Sequence, residues 1–261
     1  KTPDFKLSGK VAIVTGSTRG IGNAIAKALA AYGANVVITG RNQEACDKVA
    51  AEIEALGGGK AIGVATEVTN QEHRETLISR TVEKFGRIDI LVNNAGVGGK
   101  ESPALTIDEE EFDYTFDADV KALYFLSTAV AKQMQAQGHE EGQNPYRIIN
   151  MSSAAGIKAP RYSSVYGAAK AAVNHLTKIM ANEWARYGIL VNAVAPGYVV
   201  TDMTKDVRAN EKNAKAVLGM ISLRRYGEVE DIAGVVEFLC SPAAGYITGV
   251  LIPVDGGMTI N

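Results

Sequence analysis

A chain of 261 residues, 46% of them hydrophobic, is long enough to bury one large core, and α/β folds of this length commonly form a single domain. A formal net charge of −2 and a pI near 6.0 supply no positive field that would gather nucleic acid. No apolar run approaches the roughly 18 residues that span a bilayer, and the opening segment 1–6 lacks the apolar centre of a secretory signal, so a cytoplasmic protein with no membrane partner is expected.

Short runs rich in Val, Ile and Leu alternate with longer segments of helical period. In chain order, a strand over 11–15 leads through a glycine-rich turn into a helix over 22–32. Strand 35–39 leads to helix 43–56, strand 61–65 to helix 71–85, and strand 90–93 to helix 110–137. Strand 147–151 precedes helix 165–186, strand 190–193 precedes helix 228–239, and strand 250–254 closes the series. Strands that are apolar on both faces, alternating with helices, predict a doubly wound parallel sheet of about seven strands, the Rossmann-type α/β architecture. Ligands of such sheets bind beyond the carboxyl ends of the strands, which directs attention to the residue just after each strand. Of two irregular stretches, 139–145 reads as a solvated loop. The other, 202–221, is long enough to form a lid, and its excess of Lys205, Arg208, Lys212 and Lys215 over Asp206 and Glu211 reads as a solvated helix face. Cys46 and Cys240 show no metal-ligand spacing and are expected to be buried thiols, with no metal site.

After the first strand stands Thr15-Gly16-Ser17-Thr18-Arg19-Gly20-Ile21-Gly22. Gly16 permits a tight turn, Gly20 allows the backbone to approach a pyrophosphate, and Gly22 lets helix and strand pack closely. The helix N-terminus then offers N–H groups and a positive dipole end to phosphates. The second strand ends Thr39-Gly40-Arg41, without the carboxylate that would hold the ribose 2′-hydroxyl of NAD. Arg41, with Arg19 from the glycine turn, suits a 2′-phosphate gripped by forked hydrogen bonds, which favours NADP over NAD. Tyr166 and Lys170, four apart, share one helical face. A phenol with a pKa of about 10 is a poor base, and a neighbouring ammonium favours its ionised form. Ser153, just after the fifth strand, is placed to hydrogen-bond a substrate oxygen.

The glycine turn, Asn93-Asn94-Ala95-Gly96, Ser153 and the Tyr166–Lys170 pair occur in the order of the short-chain dehydrogenase/reductase (SDR) family, which the chain resembles from Leu7 to Met258. The resemblance implies a ketone reductase or alcohol dehydrogenase in which Tyr166 is the general acid/base, Ser153 orients the carbonyl, and Lys170 binds the nicotinamide ribose. It implies that Gly16, Thr18, Arg19, Gly20, Ile21, Gly22 and Arg41 hold the dinucleotide phosphates. Glu67 and Val68 would then lie next to adenine, with Asn93, Ala95 and Gly96 on the adenosine side. Pro196, Gly197, Val199 and Thr201 resemble the loop around nicotinamide, and the ending Val254-Asp255-Gly256-Gly257 a subunit-interface segment, so a homotetramer is expected. Implied substrates are 3-oxoacyl thioesters, sugar-acid ketones or small cyclic ketones. The alternatives are an NAD-dependent alcohol or sugar dehydrogenase and a nucleotide-binding scaffold without turnover.

Two positions depart from the family. Glu67 stands where aspartate is more usual, and Asp119 where asparagine is usual. In the family the main-chain carbonyl at the latter position helps hold a water in a relay to the lysine, a role any residue can fill. The Asp119 side chain would add a negative charge near Lys170. A purely main-chain role predicts near-normal turnover for Asp119→Asn.

Overall fold

In the computed structural model, which describes residues 2–261, the apolar runs form β1 (Val11–Val14), β2 (Asn35–Gly40), β3 (Ala61–Ala65), β4 (Ile90–Asn93), β5 (Tyr146–Met151), β6 (Ile189–Pro196) and β7 (Leu251–Val254). All pairings are parallel, in the spatial order β3-β2-β1-β4-β5-β6-β7. The helices are α1 (Gly20–Ala31), α2 (Gln43–Ala55), α3 (Gln71–Phe85), α4 (Glu109–Phe116), α5 (Ala122–Gln137), α6 (Ser164–Trp184), α7 (Lys205–Ala209), α8 (Glu211–Met220) and α9 (Val229–Cys240).

Alternate residues of a strand point to opposite faces, so a run that is apolar throughout must be covered on both sides. Ala12, Val14, Val36, Ile38 and Val92 pack with Ile25 and Leu29 of α1, Ile53 of α2 and Ile232 and Val236 of α9. Ile13, Val37, Leu91, Ile148 and Val191 pack on the other face with Leu77 of α3, Leu126 and Val130 of α5, and Val173 and Met180 of α6. Each fully buried Leu or Ile contributes roughly 1.5–3 kcal/mol of apolar transfer free energy. No helix among the described residues is long and apolar enough to cross a membrane.

The chain runs outward from β1 through β2 to β3, then returns to place β4 on the other side of β1. The connections leaving β1 and β4 therefore diverge, and a crevice opens between them. This switch point positions the site.

One expectation is refined and one corrected. The segment 110–137 is helical throughout, as expected, but its middle, Asp117–Lys121 between α4 and α5, is a π-type turn in which the Ala122 N–H donates to the Asp117 carbonyl. Hydrophobic period continues through the turn, which hides the extra residue. Strand β6 extends well past Ala193, because Ala193 through Pro196 pair with Leu251 through Val254 of β7. Proline is tolerated there at the strand's end, where its missing N–H costs little. In segment 139–145 residues 139–144 are exposed and Pro145 is half-buried, as expected of a solvated loop leading into β5. Segment 202–221 forms a 3-10 turn (Asp202–Thr204), α7 and α8, with Val217 and Ile221 packed beside Ala154 and Met258.

Candidate active site

The turn after β1 is shaped by its glycines. Gly16 (φ +61) and Gly20 (φ +57) adopt conformations that side chains disfavour. A Cβ on Gly22 would fall 2.4 Å from the Gly16 carbonyl oxygen and 2.5 Å from Asn94 Nδ2. A Cβ on Gly20 would meet only Thr201 Cγ2, at 3.7 Å, because that side opens into the crevice. Side chains of Asn42, Asn70 and Asp108 cap α2, α3 and α4, whereas α1 begins after Arg19 with no side-chain cap. An open cradle at an uncapped helix N-terminus fits a dinucleotide pyrophosphate. Asn94 ties the turn to the end of β4: its Nδ2 donates to the carbonyls of Thr15 (2.9 Å) and Gly16 (3.1 Å). The Thr15 hydroxyl in return accepts from the N–H groups of Asn94 and Ala95, each at 2.9 Å.

One cavity of about 610 Å³ runs from this cradle past the ends of β2, β4, β5 and β6. Gly16, Thr18, Arg19, Gly20, Ile21, Gly22, Arg41, Glu67, Val68, Ala95, Gly96, Pro196, Gly197, Val199 and Thr201 all line it, with Ser153, Tyr166 and Lys170. At its outer end Arg41 is exposed. Arg19 lies 3.0 Å from Asp202, and both side chains are mostly in solvent, so the ion pair is weak. The Glu67 carboxylate accepts from the Thr69 hydroxyl at 3.2 Å.

Asn93 is the expected cofactor residue that does not reach the cavity. It is buried, and its Nδ2 donates to Ser127 Oγ (2.8 Å) and Asn150 Oδ1 (2.9 Å), while Asn150 donates to Thr177 Oγ1 (2.9 Å). As the last residue of β4 it faces α5 and α6, so its polar groups are satisfied across the sheet's covered face. Its neighbour Asn94 lines the crevice instead. The sequence motif contains both, and only the direction of the strand's last residue separates their roles. Asp117, Tyr114 and Met203 also line the cavity without any distinguishing sequence signal. Of the basic residues in segment 202–221, Arg208 is turned back, donating to the Thr201 carbonyl (3.1 Å) and Thr204 Oγ1 (3.2 Å).

Tyr166 and Lys170 project together from α6. The Lys170 Nζ lies 5.6 Å from the centroid of the Tyr166 ring and donates to the Met151 carbonyl at 3.3 Å. Lys170 is buried, with 6% of its surface exposed. Ser153 is half-buried at the mouth of the cavity, and its hydroxyl accepts from the Ala155 N–H at 3.1 Å. Ser152, by contrast, is committed to structure, donating to Asn174 Oδ1 at 2.5 Å.

Asp119 sits in the π-type turn behind this pair and does not line the cavity. Its Oδ1 accepts from the Val97 N–H at 2.8 Å. Its Oδ2 lies 3.2 Å from Lys170 Nζ, facing the ammonium without a directed hydrogen bond of its own. Burial works against the Lys170 charge, but the Asp119 carboxylate and Tyr166 outweigh it and hold the ammonium above the ordinary lysine range.

Comparison with known proteins accords with this arrangement. A family model described as enoyl-(acyl carrier protein) reductase matches residues 16–259. A 3-oxoacyl-[acyl-carrier-protein] reductase of Synechocystis sp. is 43% identical over 256 residues, covering 97% of this chain and 98% of that one. The chain belongs to the short-chain dehydrogenase/reductase family. A second SDR relative, the gluconate 5-dehydrogenase of Gluconobacter oxydans, is 37% identical over 260 residues, covering 99% of this chain and 98% of its own. Among solved structures, an SDR gluconate 5-dehydrogenase from Burkholderia cenocepacia in complex with NADP and tartrate superposes with a TM-score of 0.92, at 33% identity over 98% of each chain. As an SDR the chain is an oxidoreductase of CH–OH and C=O groups.

Proposed function

We propose that this SDR is an NADP(H)-dependent ketone reductase, running in reverse as a secondary-alcohol dehydrogenase, with Tyr166 as the general acid/base. The observation that carries the reading is a phenol and a buried ammonium from one helical face entering the same cavity as the glycine cradle. When bound, NADPH would supply a hydride to the carbonyl carbon. As negative charge builds on the substrate oxygen, the Tyr166 hydroxyl donates its proton there, and the Ser153 hydroxyl hydrogen-bonds the same atom. The Lys170 ammonium stabilises the phenolate left behind and would hold the nicotinamide ribose. In alcohol oxidation the same proton movements run backwards.

The glycine turn and the N-terminus of α1 would hold the pyrophosphate, Arg19 and Arg41 the 2′-phosphate, Glu67 and Val68 the adenine side. Val199 and Thr201 would meet the nicotinamide. The absence of a carboxylate at the end of β2, and the NADP named with the Burkholderia relative, support NADP over NAD. Substrates are 3-oxoacyl thioesters, sugar-acid ketones or small cyclic ketones, the first two matching the activities named for the relatives. Segment 202–221 serves as a lid over the substrate end. Exposed Tyr246, Val250 and Ile260 around β7 are apolar surface that assembly would cover; the proposed assembly is a homotetramer in the cytoplasm, and sedimentation velocity would report its mass.

A ketone panel read by NADPH absorbance tests the reaction. A kcat/KM favouring NADPH over NADH is expected, and a preference for NADH rejects the cofactor assignment. Tyr166→Phe should lower kcat by at least about a hundredfold while still binding NADPH. Retention of activity in that variant rejects the role given to the phenol.

A further inference from the structure

The Asp119 carboxylate is a fully buried ionisable group of the catalytic neighbourhood to which this reading gives no task. It is 1% exposed, and it is fixed at both ends, by the Val97 N–H at 2.8 Å and by the Lys170 ammonium at 3.2 Å. The space around it is full: a Cβ on Gly96 would fall 2.7 Å from Asp119 Oδ1 and 3.4 Å from Lys170 Nζ. Such a buried carboxylate, left with an undirected oxygen, is costly unless the ammonium it faces stays charged.

The other charged groups near the pair are occupied. On α4, Glu111 Oε1 accepts from the Lys100 N–H (2.7 Å) and the Thr115 hydroxyl (3.1 Å). In the π-type turn, Asp117, which lines the cavity, pairs with Lys121 at 3.0 Å with both side chains largely in solvent. From β5 only the Met151 carbonyl reaches Lys170, at 3.3 Å. From α6 itself only Tyr166 faces it. The local balance is therefore one buried cation, one buried anion and one phenol.

Resting on the function proposed above, we propose that Asp119 is a positioning residue for the Tyr166–Lys170 pair: its carboxylate anchors the ammonium and offsets its charge, so that the phenol keeps its proton to higher pH and the site favours proton donation, as ketone reduction requires. An ammonium with no carboxylate beside it stabilises phenolate strongly, whereas a neutralised ion pair does so weakly. Asparagine at 119 would keep the acceptor for the Val97 N–H and remove the charge. A merely structural role for the side chain predicts no change in where the phenol titrates.

The test follows the Tyr166 phenol in the full-length protein by NMR with isotope-labelled tyrosine, its signal assigned by its loss in Tyr166→Phe. In Asp119→Asn the titration midpoint should fall by about half to one pH unit. The acidic limb of kcat/KM for alcohol oxidation should move the same way, raising oxidation on that limb about three- to tenfold. An unchanged or higher midpoint overturns the proposal. A lowered midpoint in a protein that turns over no ketone or alcohol upholds the charge coupling and rejects the reductase reading. Should Asp119→Asn fail to fold, the Lys170 ammonium of the unaltered protein decides: charged above the ordinary lysine range supports the anchor, and neutral at about pH 8 overturns it.

Discussion

At the scale of single residues, charge type and reach set what each group can do. Arg41 is exposed at the outer end of the cavity, where a guanidinium loses little on leaving water to grip a phosphate. Arg41→Ala should raise KM for NADPH about tenfold or more, the loss of a charge-assisted contact of roughly 1.5–3 kcal/mol, and change KM for NADH by no more than about twofold. Equal effects on both cofactors would deny it a role in selection. Ser152 and Ser153 show how far residue type carries. Both are serines after the same strand, and both lie within reach of the same cavity. The structure gives Ser152 a partner in Asn174 and leaves Ser153 half-buried at the cavity. Asn93 and Asn94 are the converse: adjacent amides, one turned into the core and one into the crevice, a difference no spacing reveals.

At the scale of elements, the glycine turn and the helix caps decide local stability. Gly22→Ala would push a methyl group against the Gly16 carbonyl and the Asn94 amide. It should lower stability by about 1–3 kcal/mol, read from thermal melting, and abolish NADPH binding read by fluorescence. A variant that melts and binds normally would show that the turn relaxes freely. At the start of α9, Arg225 and the Glu228 N–H hold Asp231 down from 3.8 to about 2. A carboxylate depressed on folding stabilises above its unfolded pKa and loses that contribution as pH falls through the folded value. Asp231→Asn should therefore have a lower urea midpoint than the parent at neutral pH. The gap should narrow as pH falls from about 4 towards about 2. A constant gap would assign the effect to packing rather than charge. The π-type turn between α4 and α5 is the element that periodicity missed, because one inserted residue leaves the apolar pattern on both sides intact.

At the scale of the whole molecule, the apolar cluster on one face of the sheet encloses both cysteines, which would react if exposed. Burial pushes the Cys46 thiol up to about 11 and the Cys240 thiol up to about 12. Neither forms thiolate at neutral pH, so iodoacetamide should label them only on opening of the core, in step with urea unfolding followed by mass spectrometry. Rapid labelling of the native protein would place a thiol within reach of solvent. Alternating apolar runs, glycine spacing and the Tyr166–Lys170 interval were legible in the chain because each depends on neighbours a few residues apart, and local geometry converts that spacing directly into faces and turns. What only the tertiary structure decided was the direction of each side chain at a strand end and the meeting of Asp119 with Lys170. Those residues lie on separate elements, and their contact arises from how α6 and the π-type turn settle against the sheet. Electrostatic coupling depends on that distance and burial, which the linear order of residues does not contain.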